Sequence, residues 1–269
     1  MRGRRWPRAK RGWIREKSRK SIFLIPSLFT VSNIFCGFYS VSSAIRGNYE
    51  LAGLLIGIAM ILDTLDGRIA RMTHTSSEFG VQLDSLADVI TFGMAPAVLC
   101  YQWAFRDFEI HSVDRAGWLA CFLFLISAAS RLARFNVQTA GVHDKRYFVG
   151  MPTPAAAGFV AAMVYAFPNQ LVAGWPATAV LTLILLLAFL MVSRIKYRSF
   201  KDLNLKQPHS YRITVIIGLI FVAMALDLAK ALITLAIVYA VSGPLGFLLA
   251  KRRRTPEVSD AGAVPPKLS

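Results

Sequence analysis

The feature that most limits what this chain can become is its succession of apolar runs between Ile22 and Ala250, of which AVLTLILLLAFLMV (residues 179–192) is the purest. Crossing about 30 Å of hydrocarbon takes roughly 20 residues of helix, and a single span has no other way to satisfy its backbone in lipid. Eight such spans can be read: Ile22 to Ile45, Leu51 to Met72, Val81 to Phe105, Ala116 to Val137, Pro152 to Phe167, Ala173 to Ser193, Ile213 to Leu228 and Ala229 to Ala250. The expected class is all-α, a polytopic membrane helix bundle with about eight transmembrane helices. Asp227 and Lys230 are the only turn signal between the last two spans, so a single bent hairpin or a re-entrant element fits that stretch as well. With 55% hydrophobic and only 17% charged residues, a water-soluble globule is a poor description.

The basic residues test this segmentation, because Lys and Arg collect in the cytoplasmic connections of a membrane protein. With the N-terminus in the cytoplasm, all of the 31 Lys and Arg except Arg46, Arg106, Arg115 and Lys230 fall on the inner side. An odd number of spans would put the KRRR run at Lys251–Arg254 on the wrong side. The sequence therefore predicts a multi-pass protein of the inner (cytoplasmic) membrane with both termini in the cytoplasm. The net charge of +16 reflects topology and contact with the membrane surface, and no nucleic-acid partner is expected. Residues 1–21 form a basic cytoplasmic arm, either laid on anionic lipid with Trp6 and Trp13 at the interface or solvated; residues 251–269 read as a disordered cytoplasmic tail. Cys36, Cys100 and Cys121 show no paired spacing, the four histidines have no partner spacing, and no internal repeat is visible.

Against this background the stretch LDTLDGRIARMTHTSSEFGVQLDSLAD (residues 62–88) is anomalous, since it places Asp63, Asp66, Asp84 and Asp88 inside or beside two spans. Counted from Leu51 at about 1.5 Å per residue, Asp63 and Asp66 lie roughly 18 and 22 Å along the second helix, in its cytoplasmic half. One aspartate at the bilayer centre costs about 2.5–3.5 kcal/mol on insertion scales. Helical periodicity puts Asp63, Asp66, Gly67 and Ala70 on one stripe, and Gly80, Asp84 and Asp88 on one face of the next helix. Thr75 with Glu78 reads as a capping box that starts that helix after a short turn, so the two run antiparallel and their carboxylates converge. Arg68 and Arg71 are too few to neutralise four charges. Oxygen-only ligands suit hard cations, and four carboxylates can hold two Mg²⁺ or Mn²⁺, the arrangement that clamps phosphoryl groups.

The order Asp63, Asp66, Gly67, Ala70, Arg71, Gly80, Asp84, Asp88 resembles the signature of the CDP-alcohol phosphotransferases (CDP-alcohol phosphatidyltransferases) at every fixed position. The flanking stretches IPSLFTVSNIFCGF, DSLADVITFGMAPA, SRLARFN and MVSRIKYRSFK resemble the bacterial integral-membrane branch that uses serine, so the likeness runs from about Ile22 to Lys201. It implies transfer of a phosphatidyl group from CDP-diacylglycerol to L-serine with release of CMP. By the same likeness Asp63, Asp66, Asp84 and Asp88 are metal ligands, with Asp88 also the general base. Gly67, Ala70, Arg71 and Gly80 surround the cytidine and its phosphates, with Ser27 and Thr30 nearby. The family's core has six transmembrane helices and is usually a homodimer, which divides this chain into a catalytic core over 22–205 and two additional helices over 206–250.

The residues taken alone leave the acceptor open. Arg131, Arg134, Asn136, Arg194 and Lys196 suit serine's carboxylate, but the basic ones also suit positive-inside anchoring or a phosphorylated acceptor such as glycerol 3-phosphate or inositol phosphate; inositol itself is a further alternative. Two other classes compete. A prenyltransferase also uses paired aspartate motifs, though on helices far apart in sequence, and a cation-coupled transporter would use the carboxylates as a transport site near mid-depth.

Overall fold

The computed structural model describes residues 28–73, 78–106, 111–139, 147–171, 175–193, 195–198 and 210–252. The basic arm, the Thr75 cap and the C-terminal tail lie outside them. Among the described residues there are eight helices: α1 (Leu28–Ile45), α2 (Tyr49–Thr73), α3 (Glu78–Ala104), α4 (His111–Thr139), α5 (Thr153–Ala166), α6 (Trp175–Val192), α7 (Ser210–Leu226) and α8 (Leu228–Arg252). Five of them, α1, α3, α4, α6 and α8, are long and apolar enough to cross a membrane, and α5 is a shorter apolar helix. This is a polytopic membrane bundle, as the apolar runs predict.

The helices pack in layers about a buried centre formed by Ile56, Phe92, Leu99, Phe124, Val160, Ile184 and Leu187. α2 lies along α5, α4 along α6, and α5 also meets α8. The outer faces carry Phe35, Phe38, Phe189 and Phe221 exposed, a distribution that places lipid tails around the bundle rather than water. α1 approaches α3 so closely that a Cβ on Gly37 would lie 2.6 Å from Thr91 Oγ1, and only glycine allows this contact.

Three details go beyond the sequence reading. The middle of α3, Val89–Met94, is a π-turn in which the Ala95 amide donates to the Ile90 carbonyl. Pro96 follows, with no N–H to give to Phe92, so the widened turn is built where an ordinary helical bond is already missing. The connections before α5 and after α6 pair as a short antiparallel ladder of β1 (Tyr147–Val149) with β2 (Lys196–Arg198). Gly150 turns the chain out of that ladder at φ +83°, where a Cβ would collide with the Met191 carbonyl. Finally, Asp227 alone separates α7 from α8, and its Oδ1 accepts from the Lys230 amide at 3.0 Å while its Oδ2 pairs with Lys230 Nζ at 2.8 Å. The turn signal read from these two residues is therefore an N-cap.

Candidate active site

The acidic motif is assembled by two helices and braced by a third. α2 supplies Asp63 and Asp66, three residues apart on one face, and α3 supplies Asp84 and Asp88, one turn apart on another. One carboxylate oxygen from each of Asp63, Asp84 and Asp88 lies within 4.8 Å of the others. A divalent cation bound by oxygens at about 2.0–2.6 Å needs donors separated by this order of distance, so the cluster fits such an ion. Oδ1 of Asp88 is buried with no hydrogen-bond partner among the described residues, a costly state for a carboxylate unless something cationic completes it.

Asp66 stands slightly apart from that trio. Its Oδ2 accepts a 2.6 Å hydrogen bond from Thr30 Oγ1 of α1, and both residues are buried. The first helix thus orients a motif aspartate directly. Thr30, expected beside the nucleotide, does touch the motif, while Ser27 lies outside the described residues. Gly67 and Gly80 are half-buried on α2 and α3, and Arg68 is exposed rather than paired within the cluster. For Ala70 and Arg71 only the backbone is described, at the end of α2.

The residues expected at the acceptor end separate on inspection. Arg131 of α4 is buried; its Nη1 donates to Thr153 Oγ1 of α5 at 3.1 Å, its Nε has no partner among the described residues, and its charge is within electrostatic reach of Asp88. Arg134 donates from Nη2 to the Val192 carbonyl at 3.2 Å and so closes the end of α6. Asn136 Nδ2 donates to Ser85 Oγ at 2.9 Å, tying α4 to α3 beside Asp84. Lys196 is described by its backbone in β2, and Arg194 lies outside the described residues. α8, which carries the half-buried Tyr239, packs against α5, the helix that supplies Thr153.

The family model for CDP-alcohol phosphatidyltransferase matches residues 23–242. The chain belongs to that family. Among similar CDP-alcohol phosphatidyltransferases, a CDP-diacylglycerol–serine O-phosphatidyltransferase of Helicobacter pylori is 38% identical over 232 residues, covering 86% of this chain and 94% of the relative. The enzyme of the same name from Mycobacterium leprae is 34% identical over 247 residues, 89% of this chain and 79% of its own. That of Bacillus subtilis is 32% identical over 177 residues, 66% of this chain and 91% of its own.

Three polar residues around this phosphatidyltransferase site escaped the sequence reading. Thr91 Oγ1 donates to the Asn33 carbonyl at 3.1 Å, Thr153 holds Arg131, and Asn33 is buried in α1 with both side-chain polar atoms unpartnered among the described residues. Asn33 alone gave a signal, an amide inside an apolar span one turn beyond Thr30.

Proposed function

We propose that the chain is a CDP-diacylglycerol–serine O-phosphatidyltransferase, which moves the phosphatidyl group of CDP-diacylglycerol to the hydroxyl of L-serine to give phosphatidylserine and CMP. The observation that carries the reading is the meeting of Asp63, Asp84 and Asp88 within 4.8 Å inside a membrane bundle of this family. The names of its relatives support serine as the acceptor.

Asp63, Asp66, Asp84 and Asp88 are the residues that would hold two Mg²⁺ or Mn²⁺ ions. Such ions neutralise charge on the pyrophosphate and on the departing CMP. Asp88 takes the proton of the serine hydroxyl as the serine oxygen bonds to the donor phosphorus and the bond from that phosphorus to CMP breaks, one carboxylate oxygen serving as the acceptor while the other holds the cation. By the family likeness Gly67, Ala70, Arg71 and Gly80, with Ser27 and Thr30, would bind the nucleotide end, where small residues suit the phosphates and a guanidinium can pair with them. Arg131 is the strongest of the acceptor-side candidates, since besides its bond to Thr153 it keeps a buried Nε with no partner among the described residues.

The site would open to the cytoplasm, so a lipid donor enters from the side and a polar acceptor from water. The protein would lie in the inner membrane with both termini inside, function as a homodimer, and divide into a basic arm over 1–21, a catalytic core over 22–205, an added pair of helices over 206–250 and a tail over 251–269. The test is an acceptor panel with purified protein: serine, inositol, inositol phosphate, glycerol 3-phosphate and choline, each with CDP-diacylglycerol and Mg²⁺ or Mn²⁺. CMP release with serine alone is expected, and CMP release with another alcohol but not with serine would overturn the acceptor while leaving the family chemistry in place.

A further inference from the structure

Asn33 is only 1% exposed in the middle of α1, yet neither Oδ1 nor Nδ2 has a hydrogen-bond partner among the described residues. A buried amide without partners is expensive, and an apolar residue of similar shape would remove the cost. Its position is fixed tightly. One turn earlier, Thr30 holds Asp66; at Asn33 itself the main-chain carbonyl accepts from Thr91, which lies three residues beyond Asp88 on α3; one turn later, Gly37 brings the two helices into contact. Asn33 is thus clamped at the level where the two aspartate-bearing helices meet α1.

Two more buried polar atoms share its condition, Asp88 Oδ1 and Arg131 Nε. Together the unmet groups are two acceptors, Asn33 Oδ1 and Asp88 Oδ1, and two donors, Asn33 Nδ2 and Arg131 Nε. A pyrophosphate offers acceptors only and leaves Asn33 Oδ1 unmet. A zwitterionic hydroxy amino acid offers an ammonium donor, a carboxylate acceptor and a hydroxyl proton, which matches all four.

On the basis of the acceptor assigned above, we infer that Asn33 is a specificity-determining residue that grips the amino-acid end of the acceptor. Oδ1 accepts from the ammonium, Nδ2 donates to the carboxylate beside Arg131 Nε, and the hydroxyl is left directed at Asp88. The amide is retained inside an apolar span for recognition, at a cost to stability.

The test is Asn33→Leu in purified protein, with CMP release followed against L-serine and against CDP-diacylglycerol separately, and thermal unfolding measured in the same detergent. The expected result is a KM for L-serine raised about 10- to 100-fold, as for loss of hydrogen bonds to charged groups, with the KM for CDP-diacylglycerol within about twofold and the unfolding temperature unchanged or higher. Asn33→Ser, which keeps a small polar group, serves the same comparison if the leucine variant does not insert. A raised KM for CDP-diacylglycerol with an unchanged serine KM would place Asn33 on the donor and overturn the inference. A lowered unfolding temperature with both KM values unchanged would make Asn33 structural and overturn it equally. If the wild-type protein makes no CMP with serine, the acceptor reading fails first and this assignment falls with it; wild-type turnover with an unaltered serine KM in the variant refutes the role of Asn33 alone.

Discussion

Replacing Thr30 with valine isolates what α1 contributes to the acidic site. Valine keeps the β-branched shape, so the helix and its packing are preserved, and only the hydroxyl that donates to Asp66 Oδ2 at 2.6 Å is lost. A hydrogen bond to a charged group contributes about 1.5–3 kcal/mol. The short O–H···O⁻ distance and the burial of both partners put this bond toward the upper part of that range. If the bond holds Asp66 in its metal-binding orientation, the loss appears as weaker cation binding, with the Mn²⁺ concentration for half-maximal CMP release rising about 10- to 100-fold. The rate at saturating Mn²⁺ should recover to within a few-fold, because Asp63, Asp84 and Asp88 do not depend on that hydroxyl. Titrating CMP release with Mn²⁺ at fixed, saturating CDP-diacylglycerol and serine measures both quantities. An unchanged metal dependence together with a raised KM for CDP-diacylglycerol would refute the orienting role and leave Thr30 as a direct contact to the nucleotide.

Asp88→Asn should reduce CMP formation by at least 10²-fold, the lower end of what general-base catalysis contributes, while CDP-diacylglycerol still raises the unfolding temperature of the variant; retained turnover would remove Asp88 from its role. Gly37→Ala forces a methyl to 2.6 Å from Thr91 Oγ1 and 3.0 Å from its Cα, so α1 and α3 must separate. Such overpacking costs about 1–3 kcal/mol, seen as a lower unfolding temperature together with an increased KM for serine if the Thr91 bond positions Asn33. Single cysteines placed near the two termini of a protein freed of Cys36, Cys100 and Cys121 should react with an impermeant thiol reagent only from the cytoplasmic side; labelling of the two termini from opposite sides would refute the even span count.

The helical segments were legible because lipid enforces simple rules. Span after span is bounded by the length needed to cross hydrocarbon, and the helices α2 to α6 begin and end within a few residues of the apolar runs. The π-turn was harder to read, since its cause is split between Pro96, which removes a donor, and the Thr91–Asn33 contact with another helix. The ladder between β1 and β2 was hidden for a different reason. It joins segments almost fifty residues apart through three residues on each side, Tyr147–Val149 against Lys196–Arg198, and nothing in either stretch alone requires a partner.

The candidate site divides along the same line. Charges in an apolar span carry a penalty that demands an explanation, so the aspartates announced themselves at matched helical spacing, and one carboxylate oxygen from each of Asp63, Asp84 and Asp88 lies within 4.8 Å of the others. The neutral groups around them carry no such demand. Thr30, Thr91 and Thr153 are ordinary in a membrane helix, where a hydroxyl can return its hydrogen bond to the backbone of its own turn, as Thr64 does to Met60. Only the packing of α1 to α5 turns Thr30 toward Asp66, Thr91 toward the Asn33 carbonyl and Thr153 toward Arg131 instead. Arg131 illustrates the consequence. Its sequence position fitted positive-inside anchoring as well as it fitted chemistry, and it is burial, with Nε left without a partner among the described residues, that separates it from Arg134, which closes a helix end. In a membrane enzyme of this kind the buried polar atom left without a partner is the one to follow, and among the described residues Asp88 Oδ1, Arg131 Nε and the Asn33 amide are such atoms.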